Sequence, residues 1–320
     1  MFDLLHFAWY VVRHIYPAKK ILKQRAAQLD KNVHKRMFSL ALFAVAGSYP
    51  YVACRGKSLR KNERQSLILL GAATALCDDL TDEHQYPLEA LKNLFANDVV
   101  YHPENATENV CRTLYKEAMA LHPDTNLFLN KLFTALDAQE HSKRQLGKSL
   151  DFDQLWQITQ DKGGTTNVLF LHFLHHQPNK NEEAFAHQAG IALQLLDDLF
   201  DLYEDLEDGV QTPVTAIESL DQLEALYTAE VRKAMGLLGA LSPSKRAESS
   251  VGFIYARGTI ALDQYRSFCK ETNQSFPPKQ YRRKDLIVDM EKGANLRTNV
   301  VRRFVFSRPK DTSILPYHDL

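Results

Sequence analysis

Gln194-Leu-Leu-Asp-Asp-Leu-Phe-Asp-Leu-Tyr-Glu-Asp205 closes an apolar run that includes Phe185, Ala189, Ile191, Ala192, Leu193, Leu195 and Leu196, and it stops at Gly209. The spacing predicts a helix on which Asp197, Asp201 and Asp205 lie one above the other, with Asp198 beside them. Like charges at that spacing repel by roughly 0.2–0.5 kcal/mol per pair. They also crowd the helix end at which the dipole favours cations. Between Asn181 and Val231 there are thirteen Asp or Glu and no Lys or Arg. The balancing positive charge has to come from elsewhere.

A second stretch repeats the pattern. Leu67-Ile-Leu-Leu-Gly-Ala-Ala-Thr-Ala-Leu76 is apolar and runs into Asp78-Asp-Leu-Thr-Asp-Glu83, with Pro87 just beyond. On a helix Asp78 and Asp82 share a face, and so do Asp79 and Glu83. Either cluster alone reads as a solvated acidic face or a frayed helix end. Two Asp-Asp-x-x-Asp clusters, each closing an apolar helix, are expected to face one another across a bundle interior. There they would hold Mg²⁺, a hard ion that takes a few carboxylates and leaves positions for phosphate oxygens.

These residues resemble the paired motifs of the class I isoprenoid synthase superfamily, which comprises trans-prenyl diphosphate synthases and terpene synthases. The family's Phe-Gln, two residues, Asp-Asp, two residues, Asp is similar to Leu193-Gln194-Leu-Leu-Asp197-Asp198-Leu-Phe-Asp201. Asp161-Lys162-Gly163-Gly164-Thr165 resembles the prenyl synthases' Lys-Thr-Gly segment, with Gly in place of Thr. The matches span roughly residues 67–210. The resemblance implies an all-α fold, a single large helical bundle around a central apolar pocket. It implies Mg²⁺-dependent loss of diphosphate from an allylic isoprenoid diphosphate. Asp78, Asp82, Asp197 and Asp201 would be the catalytic acids, joined by Asp79 and Asp205 as metal ligands. Lys162, Gln194, Arg144 and Arg303 would contact the diphosphate, Arg303-Phe304 standing where some terpene synthases carry Arg-Tyr. The family's Arg-Arg after the first cluster is missing, and Arg55-Gly-Lys-Ser-Leu-Arg60 only faintly echoes its Gly-Gly-Lys-x-x-Arg loop. Both departures rank a terpene synthase-like activity above chain elongation. A non-catalytic helical protein that binds metal or a partner is the alternative of another class.

The remaining sequence is consistent with long helices. Glycine (13) and proline (12) are sparse in 320 residues, which argues against many tight turns. A formal charge of zero gives no case for nucleic-acid binding. Cys54, Cys77, Cys111 and Cys269 are widely spaced and read as reduced thiols in a cytoplasmic protein. Residues 1–36 are expected to form a basic amphipathic segment packed on the body or on a second subunit, with contact to a membrane surface as the alternative; no run there reaches transmembrane length. Residues 37–310 would form the helical domain and 311–320 a loose tail. Further helices are expected at 37–52, 88–96, 107–121, 125–146, 152–159, 165–176, 215–241, 245–272 and 284–306. Lys162-Gly-Gly164 reads as a break between two of them, whose glycines and following N-terminus would suit a phosphate. His172, His175 and His176 are read as packed or surface histidines. Residues 279–310 hold ten Lys or Arg against three acids.

Overall fold

The computed structural model describes residues 2–82, 86–96, 101–147, 149–241 and 245–289. The helices are α1 (Phe2–Arg25), α2 (Lys31–Gly47), α3 (Tyr49–Arg55), α4 (Lys61–Asp82), α5 (Leu88–Phe95), α6 (Ala106–Met119) and α7 (Thr125–Ser142). After a 3-10 turn at Lys143–Gln145 come α8 (Phe152–His172), α9 (Lys180–Phe200), α10 (Leu202–Asp208), α11 (Pro213–Ala216), α12 (Leu220–Leu241), α13 (Lys245–Thr272) and α14 (Arg283–Leu286). Among the described residues there is no β-sheet; Leu146 and Val210 form an isolated antiparallel bridge. The fold is an all-α bundle.

Local chemistry sets the boundaries. Asp30, Asn105 and Asp124 accept backbone N–H groups at the starts of α2, α6 and α7, and Asp151 and Asn179 form capping boxes with Gln154 and Glu182. Such a cap contributes about 1 kcal/mol by satisfying an otherwise orphaned donor. Gly56 and Gly209 close α3 and α10 in the left-handed conformation. Pro50 lies in the first turn of α3 and does not end the helix before it. The boundary expected after residue 36 falls inside α2. α1 ends at Arg25 and packs on α2, α4 and α13.

Apolar stripes meet in one core. Ala41, Ala44 and Val45 of α2 are buried with Leu67–Leu70 of α4 and Cys111, Leu114 and Ala118 of α6. The stretch Lys31–Arg55 is long and apolar enough to cross a membrane by length and composition, and almost half of its most apolar window is buried against the bundle. α4 packs mainly on α2 and α6, whereas α9 packs on α8, α12 and α13.

Two sets of contacts decide which helix ends meet. At one end, Arg55 of α3 donates to Glu182 Oε1 in the first turn of α9 (3.3 Å). His122, just beyond α6, donates to the His172 carbonyl at the end of α8 (2.7 Å). Glu63, in the first turn of α4, acts electrostatically on His175 and His176. At the other end, Tyr86, just after α4, bonds Glu108 near the start of α6. α4 and α9, about 30 Å long each, therefore begin together. Their acidic C-terminal ends both point to the opposite end of the bundle.

The expected break at Lys162-Gly-Gly164 does not occur; α8 runs unbroken from Phe152 to His172. The glycines act at a helix crossing. A Cβ on Gly163 would stand 2.5 Å from the Gly190 carbonyl oxygen, one on Gly190 would strike Gly163 in return, and one on Gly164 would meet the His187 ring. With no side chain between them, α8 and α9 approach backbone to backbone.

Gly190→Ala should therefore destabilise the protein by about 1–3 kcal/mol through overpacking. Gly236→Ala, at a position in α12 where a Cβ has nothing within 4 Å, should stabilise it by about 0.5–1 kcal/mol through helix propensity. Urea denaturation of the two variants against the parent checks both signs.

Candidate functional site

The helical register that the sequence predicts is interrupted at one residue. α9 ends at Phe200, Asp201 takes φ −93°, ψ 8°, and α10 resumes at Leu202. Two backbone bonds carry the chain across, Asp201 N to Asp197 O (2.9 Å) and Asp205 N to Asp201 O (2.8 Å). Asp197, Asp201 and Asp205 thus stay grouped. Gln194 donates to Asp198 Oδ1 (2.9 Å) and, more weakly, to Asp197 Oδ2 (3.5 Å). Asp198 is buried, and its Oδ2 has no hydrogen-bond partner. Tyr265 of α13 is fully buried and bonds the Leu199 carbonyl, bracing the helix end from behind.

Burial dominates the protonation of this group. It raises Asp198 to about 7, with Asp197 and Asp201 adding repulsion and Gln194 and Lys162 opposing. Asp201 is raised to about 6 and Asp205 to about 8, first by burial and then by neighbouring carboxylates. Asp197 is exposed at the surface, yet the surrounding protein pushes its carboxyl up as well, against Lys162 and Gln194. Lys162 pulls all four downward. It does so from the middle of α8, which the glycine crossing draws close to α9.

The first cluster is arranged differently. Asp79 is buried and ion-paired with Arg36 of α2, so its carboxyl already has a cation beside it. Asp78 is half-buried and lies near Cys111, whose thiol is pushed up first by burial and then by Asp78 and Glu108. The Asp82 backbone ends α4; its side chain lies outside the described residues, as does all of Arg303. Among the described residues, no three His, Cys, Asp or Glu side chains converge as a metal cage.

The sequence left the source of positive charge open. Besides Lys162, Arg283 of α14 bonds Glu204 Oε1 (3.0 Å) and stands over the Tyr203 ring, bringing α14 onto α10. Only the charge asymmetry between residues 181–231 and 279–310 could have signalled this. Arg144 is exposed and bonds His141 (2.6 Å). It lies two residues before the Leu146–Val210 bridge, so it stays near the end of α10.

Arg55 is held by Glu182 and by His176 Nδ1 (2.7 Å) at the start of α9. By helix rise, that is about 28 Å from Asp201. His172 donates to Glu183 (2.8 Å), and Lys131 pairs with the same carboxylate (2.9 Å). The carboxylate partners of His172 and His176 are Glu183 and Glu182, eleven and six residues further on, and were missed in the sequence. Two surface grooves of about 540 and 480 Å³ are lined by Asp221, Arg266 and Cys269 and by Lys131, Thr165 and His187. Neither borders an aspartate of the two clusters.

The chain is similar in structure to a geranyltransferase from Legionella pneumophila, with a TM-score of 0.51 and 14% identity, over 81% of this chain and 98% of that one. At that identity the likeness is one of fold alone, an all-α bundle. No protein-family model and no curated protein matches the sequence.

The raised carboxyls make stability depend on pH. A carboxyl whose folded pKa lies above its unfolded value of about 4 contributes stability that is complete below pH 4 and is lost as pH rises through the folded value. The melting temperature of the protein without added metal should therefore fall between about pH 5 and 8. Asp198→Asn should flatten that slope, and a thermal-melt series across this range measures both effects.

Proposed function

We propose that this chain is a Mg²⁺-dependent class I isoprenoid synthase-like enzyme that ionises an allylic isoprenoid diphosphate with loss of diphosphate. The observation that carries the reading is the group Asp197, Asp198, Asp201 and Asp205, crowded at one helix end with a buried Asp198 oxygen left unpartnered. It occurs on a fold shared with a geranyltransferase. Hard carboxylate oxygens short of positive charge suit Mg²⁺, which needs few protein ligands when substrate phosphates and water complete its shell. Asp197, Asp201 and Asp205 would hold the ion on one side, with Asp78 and Asp82 on the other. Asp79, already paired with Arg36, takes no part. When bound, Mg²⁺ would neutralise the departing diphosphate.

The chain's own groups supply the rest. Lys162 contributes a fixed positive charge beside the acids and would attract the diphosphate from the α8 side. Gln194 holds Asp197 and Asp198 in place. The apolar residues of the bundle would keep water from the cation left behind. The shared direction of α4 and α9, which begin at the same end of the bundle, supports a reading of two acidic rims on one cavity. A cytoplasmic enzyme remains our reading of the cysteines.

A terpene synthase-like outcome, giving a hydrocarbon or alcohol, ranks first. Elongation needs a second basic site beside the metal, and Arg55 is spent on Glu182 at the far end of α9. Elongation stays as the second reading because the structural neighbour is a geranyltransferase and because Arg283 reaches α10.

Incubation with ten-, fifteen- and twenty-carbon allylic diphosphates and Mg²⁺ should consume the allylic substrate alone, and Asp197→Asn or Asp78→Asn should lower turnover about 10²–10³-fold with the fold intact by circular dichroism. A longer diphosphate formed only when isopentenyl diphosphate is added would establish elongation instead. No consumption of any of these substrates would leave the non-catalytic alternative.

A further inference from the structure

α1 presents two different faces. Tyr10, His14, Ala18 and Leu22 are buried at intervals of four residues, and this side packs on α2, α4 and α13. Tyr10 is fixed there by a hydrogen bond with Ser48 Oγ (2.7 Å). The opposite side carries Trp9 (64% exposed), Val12 (52%) and Tyr16 (74%). Arg13, Lys19, Lys20 and Lys23 are exposed as well. At 3.6 residues per turn these seven side chains fall within an arc of about 120°. Trp9 and Tyr16 stand about 10 Å apart along the axis, and Lys23 lies about another 10 Å on. No Asp or Glu occurs between His6 and Arg25.

We propose that this face docks the protein on an anionic lipid surface. Tryptophan and tyrosine combine an apolar ring with a polar tip, which suits the headgroup layer, and exposing them to water has no packing explanation in the bundle. Lysines on the same arc would lie over lipid phosphates while the rings enter between headgroups. Charge complementarity selects this occupant over a second copy of the chain. Pairing two such faces about a two-fold axis would bring eight cations into one interface, because each face carries four and no acid. An anionic bilayer supplies that missing charge. α1 also stays folded on the body in this arrangement, since its buried side is already occupied. An allylic isoprenoid tail partitions into bilayers, so the docking would hold the enzyme near its substrate, but the argument for the surface does not depend on that activity.

The test uses the whole chain with vesicles of phosphatidylcholine alone and of phosphatidylcholine mixed with phosphatidylglycerol. Sedimentation should show binding to the mixed vesicles, little to the neutral ones, and loss at high salt. Lys19→Glu, Lys20→Glu or Lys23→Glu should each weaken partition about fivefold or more, and W9S/Y16S should abolish it with an unchanged thermal melt. In a Trp156→Phe background the Trp9 fluorescence should shift to the blue on binding. Equal partition into both vesicle types, none into either, or binding untouched by W9S/Y16S would overturn the proposal. A dimer that forms without lipid and that W9S/Y16S dissociates would assign the face to a second copy.

Discussion

Four carboxyls share one helix end with a single lysine pulling against all of them, and the bundle has to hold them there. In water such a group would spread apart. Here Gln194 ties Asp198 to Asp197, Tyr265 braces the backbone at Leu199, and Lys162 supplies charge from the adjacent helix. Each of these depends on packing some distance away. Lys162 reaches the acids because Gly163 and Gly190 let two backbones meet, and Tyr265 reaches Leu199 because α13 lies against α9. Burial raises all four carboxyls, so each gives up its proton at a higher pH than an isolated aspartate would.

The two ends of the bundle divide the work. Ion pairs that are complete, Arg55 with Glu182 and Lys131 with Glu183, gather where α9 begins. Carboxyls short of partners gather where it ends. A buried charge without a partner is strongly destabilising, so a fold that retains such a group in one place and satisfies similar groups elsewhere concentrates its unsatisfied chemistry at one location. The two acidic clusters are also unequal. Arg36 has already taken Asp79, whereas Asp198 keeps an oxygen without any partner.

Most of the helices were legible because their signals are local. Asp30, Asn105, Asp124, Asp151 and Asn179 stand just ahead of apolar periodic runs, and each caps a helix as its chemistry directs. Lys162-Gly-Gly164 was misread for a physical reason: glycine marks both a broken helix and a close crossing, and only the partner helix tells them apart. The acids of the second motif were visible as a periodic pattern. Nothing local in the sequence shows that Asp79 is ion-paired, because its partner Arg36 lies forty-three residues away. Arg283 was equally out of reach. Its pairing with Glu204 follows from where the chain returns after α13, and the sequence shows only that one segment lacks cations and another has a surplus.

The interruption at Asp201 divides the acidic motif between two rigid rods. Asp197 and Asp198 belong to α9, which is locked by its crossing with α8, while Asp205 rides on α10, a seven-residue helix closed by Gly209. Two backbone bonds span the joint. A small rotation about Asp201 would carry the Asp205 carboxyl toward or away from its companions without disturbing the core packing of α9. The separation of the Asp197 and Asp205 carboxyls is thus set by the backbone at Asp201, and Arg283 bonds Glu204 on the α10 side of that joint.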